Sequence, residues 1–121
     1  MKNGSVYNVT SHQAAMWLDL SLLPWAEASR PLLIGFWGNE CVCAFGTIPV
    51  SFVGGSAYLW LWNKPELPKI AFARHAIRTL PKLLSLYSPL ICNCYNSDSA
   101  HWLKSLGAKE AGADLYTFER Q

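Results

Sequence analysis

Two lysines, Lys64 and Lys69, flank a proline-marked turn inside LWLWNKPELPKIAFARHAI (Leu59 to Ile77), where a strand runs into a helix. Turns of this kind hold the phosphates of nucleotide-like cofactors in many folds, and they usually carry glycines so that the backbone can come close. This one has no glycine, and Pro65 and Pro68 each remove a backbone donor. The helix N-terminus still offers about half a positive charge, and Lys64 and Lys69 add whole ones. Anion binding survives, but it is weaker than in a glycine turn. Further along the same helix, Arg74, Arg78 and Lys82 recur every four residues as one basic line. Such a line suits phosphates, an acidic partner or nucleic acid; its ordinary reading is the solvated back of an amphipathic helix. No aromatic residues interleave with it, so it makes no stacking platform for single strands.

Other reactive side chains are scattered. The four cysteines form two C-x-C pairs, Cys41/Cys43 and Cys92/Cys94. In a strand, each pair would put both side chains on one sheet face. Four-thiolate zinc sites use wider spacing, on loops, so the expectation is free thiols packed as small hydrophobes, with no metal. Asp19, Glu40, Glu66, His75 and His101 include no pair whose spacing marks a catalytic base, and each reads first as a surface residue.

The elements that position these residues follow from periodicity and turn signals. Ser5 to Thr10 reads as a short strand, and Ser11 as the N-cap of a helix over about 12–23 that Pro24 ends. The apolar run from Pro31 to Trp37 predicts a strand buried on both faces. Gly38-Asn39 then turns the chain into a strand from Glu40 to Gly46, and Gly54-Gly55 leads into Ser56 to Asn63. There Tyr58, Trp60 and Trp62 share one face, as core under a helix or as an exposed recognition ridge. In the long helix Ile70, Ala73, Ile77, Leu80, Leu84 and Tyr87 form the expected buried stripe, with a kink or break at Pro81. A strand over Leu90 to Tyr95, a helix from Ser99 to Leu106 closed by Gly107, and a final strand from Leu115 complete the order β-α-β-β-β-α-β-α-β. That order is α+β: a mixed, largely antiparallel sheet with helices on its faces.

Composition sets the bounds. With 121 residues the chain is expected to form one domain. Charged residues are only 15% and six residues are Trp, which implies an aromatic-rich core or apolar surface kept for a partner. A net charge of +2 does not argue for nucleic acid. The polar start MKNGSVYNVT has no secretory character and no apolar run spans a bilayer, so a soluble protein of a reducing cytoplasm is expected.

This order, with the tail NSDSAHWLKSLGAKEAGADLYTFER, resembles the GNAT superfamily of acyl-CoA N-acyltransferases. In that family a strand ends in Asn and the next helix ends in Gly eleven residues later, as Asn96 and Gly107 do here. The segment HWLKSLGA looks like the small GNAT-like proteins of short-tailed bacteriophages. The resemblance implies a V-shaped splay between the strands Ser56–Asn63 and Leu90–Tyr95, with acetyl-CoA as cofactor. Its pantetheine arm would pair with the backbone of Leu61, Trp62 and Asn63. Lys64, Lys69 and Arg74 would attend its phosphates, and Asn96 would contact pantetheine, unless Asn96 only caps the last helix.

Two departures bear on activity. KPELPKIAF lacks the family's glycine-bearing phosphate turn. Leu103 stands where many members carry a Tyr that protonates the departing thiolate, and losing such an acid costs roughly 10²–10⁴ in rate. No catalytic residue can be named. The resemblance therefore implies an acetyltransferase-like phage protein with weak or absent catalysis. Its alternative is a non-catalytic protein that binds a host or virion protein, located in the host cytoplasm or the virion.

Overall fold

Gly38 turns the first hairpin with φ +64°, a conformation that costs glycine nothing. Around that turn, β2 (Leu32–Trp37) and β3 (Glu40–Pro49) pair antiparallel. The computed structural model describes residues 4–50, 55–65, 67–94 and 97–120. Gly54, half of the second predicted turn, lies outside them. The remaining strands are β1 (Gly4–Val9), β4 (Ala57–Asn63), β5 (Leu90–Asn93), β6 (Lys109–Gly112) and β7 (Leu115–Phe118). They form one sheet in the order β1-β2-β3-β4-β5-β7-β6. All neighbours are antiparallel except β4 and β5, which run parallel and are joined by the crossover helix α3 (Lys69–Leu86).

Helices cover both faces. On one side, Ala14 of α1 (Ser11–Ala14) and Ala26 of α2 (Leu23–Ala28) pack with Leu32, Ile34, Ala44 and Trp60. On the other, Leu83 of α3 and Leu103 of α4 (Ser97–Ser105) pack with Leu59, Leu90, Cys92 and Phe118. Phe72 of α3 lies beside Val42 and Cys43. The α+β class and the largely antiparallel mixed sheet are therefore as expected.

Several local expectations change. The helix predicted over 12–23 is split. Thr10, not Ser11, caps α1 through a reciprocal box with Gln13, and the chain then turns through a 3₁₀ segment at Leu20–Leu22. Pro24 opens α2 rather than closing a helix, because a residue with no N–H loses nothing in a first helical turn. The strand expected to stop at Gly46 runs on to Pro49.

Helix α3 is unbroken through Pro81, contrary to the expected kink or break. Pro81 and Ile77, whose carbonyl the ring leaves unpaired, are both exposed, so water can serve that oxygen. The buried stripe of α3 also differs. Phe72 and Leu83 are the buried positions, and Leu80, Leu84 and Tyr87 of the expected stripe pack half-buried against the core, while Ile70 is 81% and Ile77 62% exposed. Strand β6 carries no apolar alternation and is exposed throughout, which is why it leaves no signal in the sequence.

The aromatic strand β4 divides. Trp60 is buried and donates Nε1–H to Ser29 Oγ at 2.6 Å, and Ser29 Oγ donates in turn to the Trp25 carbonyl at 2.8 Å. Trp62 is half-buried beside the same cluster, while Tyr58 is 45% exposed. The cysteines are free and buried. Cys92 and Cys94 share a face, but Cys41 and Cys43 do not. A register shift sets Gly35 opposite Cys43 and Phe36 opposite Cys41, leaving Val42 as an extra residue. That β-bulge turns Cys43 to the α3 side while Cys41 stays on the α1/α2 side.

Candidate functional site

Strands β4 and β5 are registered at only two positions, Ala57↔Leu90 and Tyr58↔Ile91. Beyond them β4 continues against β3 alone, from Leu59↔Thr47 to Asn63↔Cys43, while β5 pairs on its far side with β7. The two central strands therefore part into the expected V. Backbone direction within β4 follows from alternation. Ala57 N–H points to the β5 side, bonding the Pro89 carbonyl at 3.2 Å, and Lys64 N–H points to the β3 side, bonding the Val42 carbonyl at 2.8 Å. Odd residues thus turn their amides toward the opening. Leu61 and Asn63 do so where no residue of β5 is registered opposite.

A cavity of about 470 Å³ fills this region. Its floor is sheet, with Val6, Cys43, Leu59, Leu61 and Asn63. Helix α3 supplies Phe72, His75, Ala76, Thr79, Leu80 and Leu83, and α4 supplies Ser99, Trp102, Leu103 and Leu106. The volume lies in the range of small-molecule sites, and the lining is mainly apolar with a few polar groups. Burial pushes the Cys43 thiol up to about 12, with the neighbouring Cys41 adding to the rise. At neutral pH Cys43 is a protonated wall residue and no nucleophile.

The mouth is the weak part of the site. Between β4 and α3, Lys64 N–H is committed to Val42, Leu67 N–H bonds the Lys64 carbonyl at 3.1 Å, and Pro65 and Pro68 have no N–H. Pro68 is the N-cap of α3 and offers no side-chain cap; the first helical bond is Phe72 N–H to the Pro68 carbonyl. A helix's first turn leaves backbone N–H groups without intrahelical partners, and those of α3 are what this described stretch can offer an anion. Lys64 Nζ is 2.8 Å from Glu40 Oε1, so half of the expected charge is already paired.

The predicted site residues fall into three groups. Leu61, Trp62 and Asn63 line the cavity, and Lys64 stands at its mouth. Arg74 is exposed on α3 and does not line the cavity. Lys69 begins α3, while Asn96 and Glu66 lie outside the described residues. Leu103 is 2% exposed and forms part of the cavity wall. Of the scattered acid-base candidates, Asp19 accepts from Ser21 Oγ and His101 is exposed on α4. Among the described candidates His75 alone lines the cavity, half-buried, its ring centroid 5.7 Å from that of Phe72. The sequence reading makes His75 a surface residue just off the basic line. The spacing Phe72, His75, Ala76, Thr79, Leu83 was the signal for an inward face, hidden because Ile70 and Ile77 form an equally regular stripe.

Solved structures share this arrangement over nearly the whole chain. A ribosomal-protein-S5-alanine acetyltransferase from Vibrio fischeri superposes with a TM-score of 0.65 at 14% identity, over 98% of this chain and 94% of that one. A spermidine N-acetyltransferase from Vibrio cholerae, in complex with CoA and spermine, matches at 0.62 and 11%, over 95% and 92%. Arabidopsis thaliana Naa50, in complex with the bisubstrate analogue CoA-Ac-MVNAL, matches at 0.66 and 12%, over 98% and 99%. No family model and no curated protein matches the sequence. The fold is that of the GNAT acetyltransferases. Among the described residues no helix is long and apolar enough to cross a membrane.

Proposed function

We propose that this chain is an acetyltransferase-like protein of bacteriophage type that holds acetyl-CoA by its pantetheine arm in the β4–β5 wedge, with weak or absent catalysis. The observation that carries the reading is the end of strand pairing after Tyr58↔Ile91, beside an apolar cavity. Backbone amides turned into such an opening need partners, and a ligand arm with its own amides supplies them in the manner of an added strand. The solved neighbours with CoA or a CoA analogue in their names favour the same ligand class. The phage attribution rests on the likeness of HWLKSLGA and of the upstream hairpin, aromatic strand and basic helix.

Weak catalysis follows from three features. The phosphate turn has lost donors to Pro65 and Pro68, Lys64 is paired with Glu40, and Leu103 cannot protonate a thiolate. The same features favour the second reading, a non-catalytic protein that binds a host or virion protein. Calorimetric titration with acetyl-CoA separates the two. Micromolar binding that weakens in Asn96→Ala and in a Lys64→Ala/Lys69→Ala variant supports the cofactor reading. No heat and no thermal shift supports the second.

A further inference from the structure

We infer that the outer face of α3 is a docking surface for an acidic amphipathic helix of another protein. The apolar arc of α3 is wider than the sheet beneath it can cover. At about 100° per residue, Ile70 and Ile77 lie some 20° apart, well round the helix from Phe72 and Leu83, which are buried. Ile70 and Ile77 remain 81% and 62% exposed, with exposed Pro81 next to them. Their seven-residue spacing is that of one seam of a helix–helix contact.

Arg74 and Arg78 lie about 40° and 80° round from Ile70, on one flank of that seam, and Lys82 continues the line to about 120°. All three are exposed, and no described residue forms an ion pair or side-chain hydrogen bond with them. Helix α3 contains no Asp or Glu, so nothing on it offsets this charge. An apolar seam bordered by one sign of charge selects a partner with apolar seam residues and carboxylates beside them.

The same features disfavour other occupants. A second copy would set Arg against Arg across the seam. Nucleic acid would find isoleucines where phosphates need donors, and no stacking rings. A bilayer calls for a broad apolar face, whereas this seam is one side chain wide.

The test uses a fluorescently labelled synthetic helix with leucines at seven-residue spacing flanked by glutamates, read by anisotropy against the full chain. The expected result is salt-sensitive binding that weakens more than tenfold in Arg78→Glu/Lys82→Glu and again in Ile70→Ser/Ile77→Ser. The substituted positions are exposed, so melting temperatures should match the parent. The inference is overturned if the peptide does not bind, or if both variants bind it as well as the parent does. Equal binding of a peptide with lysines in place of the glutamates overturns it too. So does a preference of the parent chain for phosphatidylglycerol vesicles or duplex DNA over the acidic peptide.

Discussion

The deep end and the mouth of the wedge are built on different principles. At the deep end, Leu59, Leu83, Leu90 and Leu103 come from two strands and two helices and are all nearly or fully buried. At the mouth, Pro65 and Pro68 remove donors, Leu67 bonds Lys64, and Lys64 pairs with Glu40. One end is a hydrophobic core with an opening; the other is a turn where the polar groups of the described residues are largely absent or engaged. The difference implies that any ligand here is held by apolar fill and backbone pairing, with little help from phosphate charge.

That contrast can be broken most severely from the deep end. Leu83→Ala removes a buried side chain shared by core and cavity wall, and should cost about 2–5 kcal/mol, read as a lowered urea midpoint. Filling the opening should act on binding instead. Ala76→Trp is expected to weaken acetyl-CoA affinity by roughly a hundredfold, about 2.8 kcal/mol, in calorimetry. Unchanged affinity would place the ligand elsewhere.

Gly35→Ala sharpens the account of the floor. A Cβ there meets Cys43 Sγ and Phe72 Cε1, so the side chains that shape the cavity must shift, at about 1–3 kcal/mol in thermal unfolding. The thiols give a pH signature. Burial raises Cys43 to about 12 and Cys92 to about 11 from an ordinary 9.0. Between 9 and those values the unfolded chain has lost thiol protons that the folded chain retains. Their contribution to stability is therefore complete below pH 9 and is lost as pH rises toward 11 and 12. Denaturation midpoints that do not fall over this window would remove the assigned burial. The smallest effect belongs to the mouth: Lys64→Ala/Lys69→Ala should weaken acetyl-CoA binding by less than about 1 kcal/mol, because Lys64 is partly exposed and already paired. A larger loss would restore the phosphate turn to importance.

Much of this architecture is legible from local pattern. The turn at Gly38-Asn39, the aromatic strand β4, the crossover helix and Gly107 at the end of α4 all announce themselves. Gly107 has φ +105°, and its N–H and that of Ala108 close the helix onto the carbonyls of Lys104 and Leu103. Of the site residues, Leu61, Trp62 and Asn63, which the family resemblance implies for the cofactor arm, line the cavity. What pattern misjudged are choices between equivalent signals. Two apolar stripes run along α3, and only the sheet decides that the one through Phe72 is buried. Pro24 can end a helix or begin one, and packing of Ala26 against Leu32 and Ile34 chose the second.

By itself, the sequence determined most of the elements and their order, though not β6 or the split of the first helix, and it determined the loss of phosphate-turn donors, because periodicity, glycine and proline act through the local backbone. Only the tertiary structure decided which face of α3 is buried, which side of the sheet receives Cys43, and where β4 leaves β5. Those outcomes depend on contacts between residues distant in the chain, and no local preference distinguishes them.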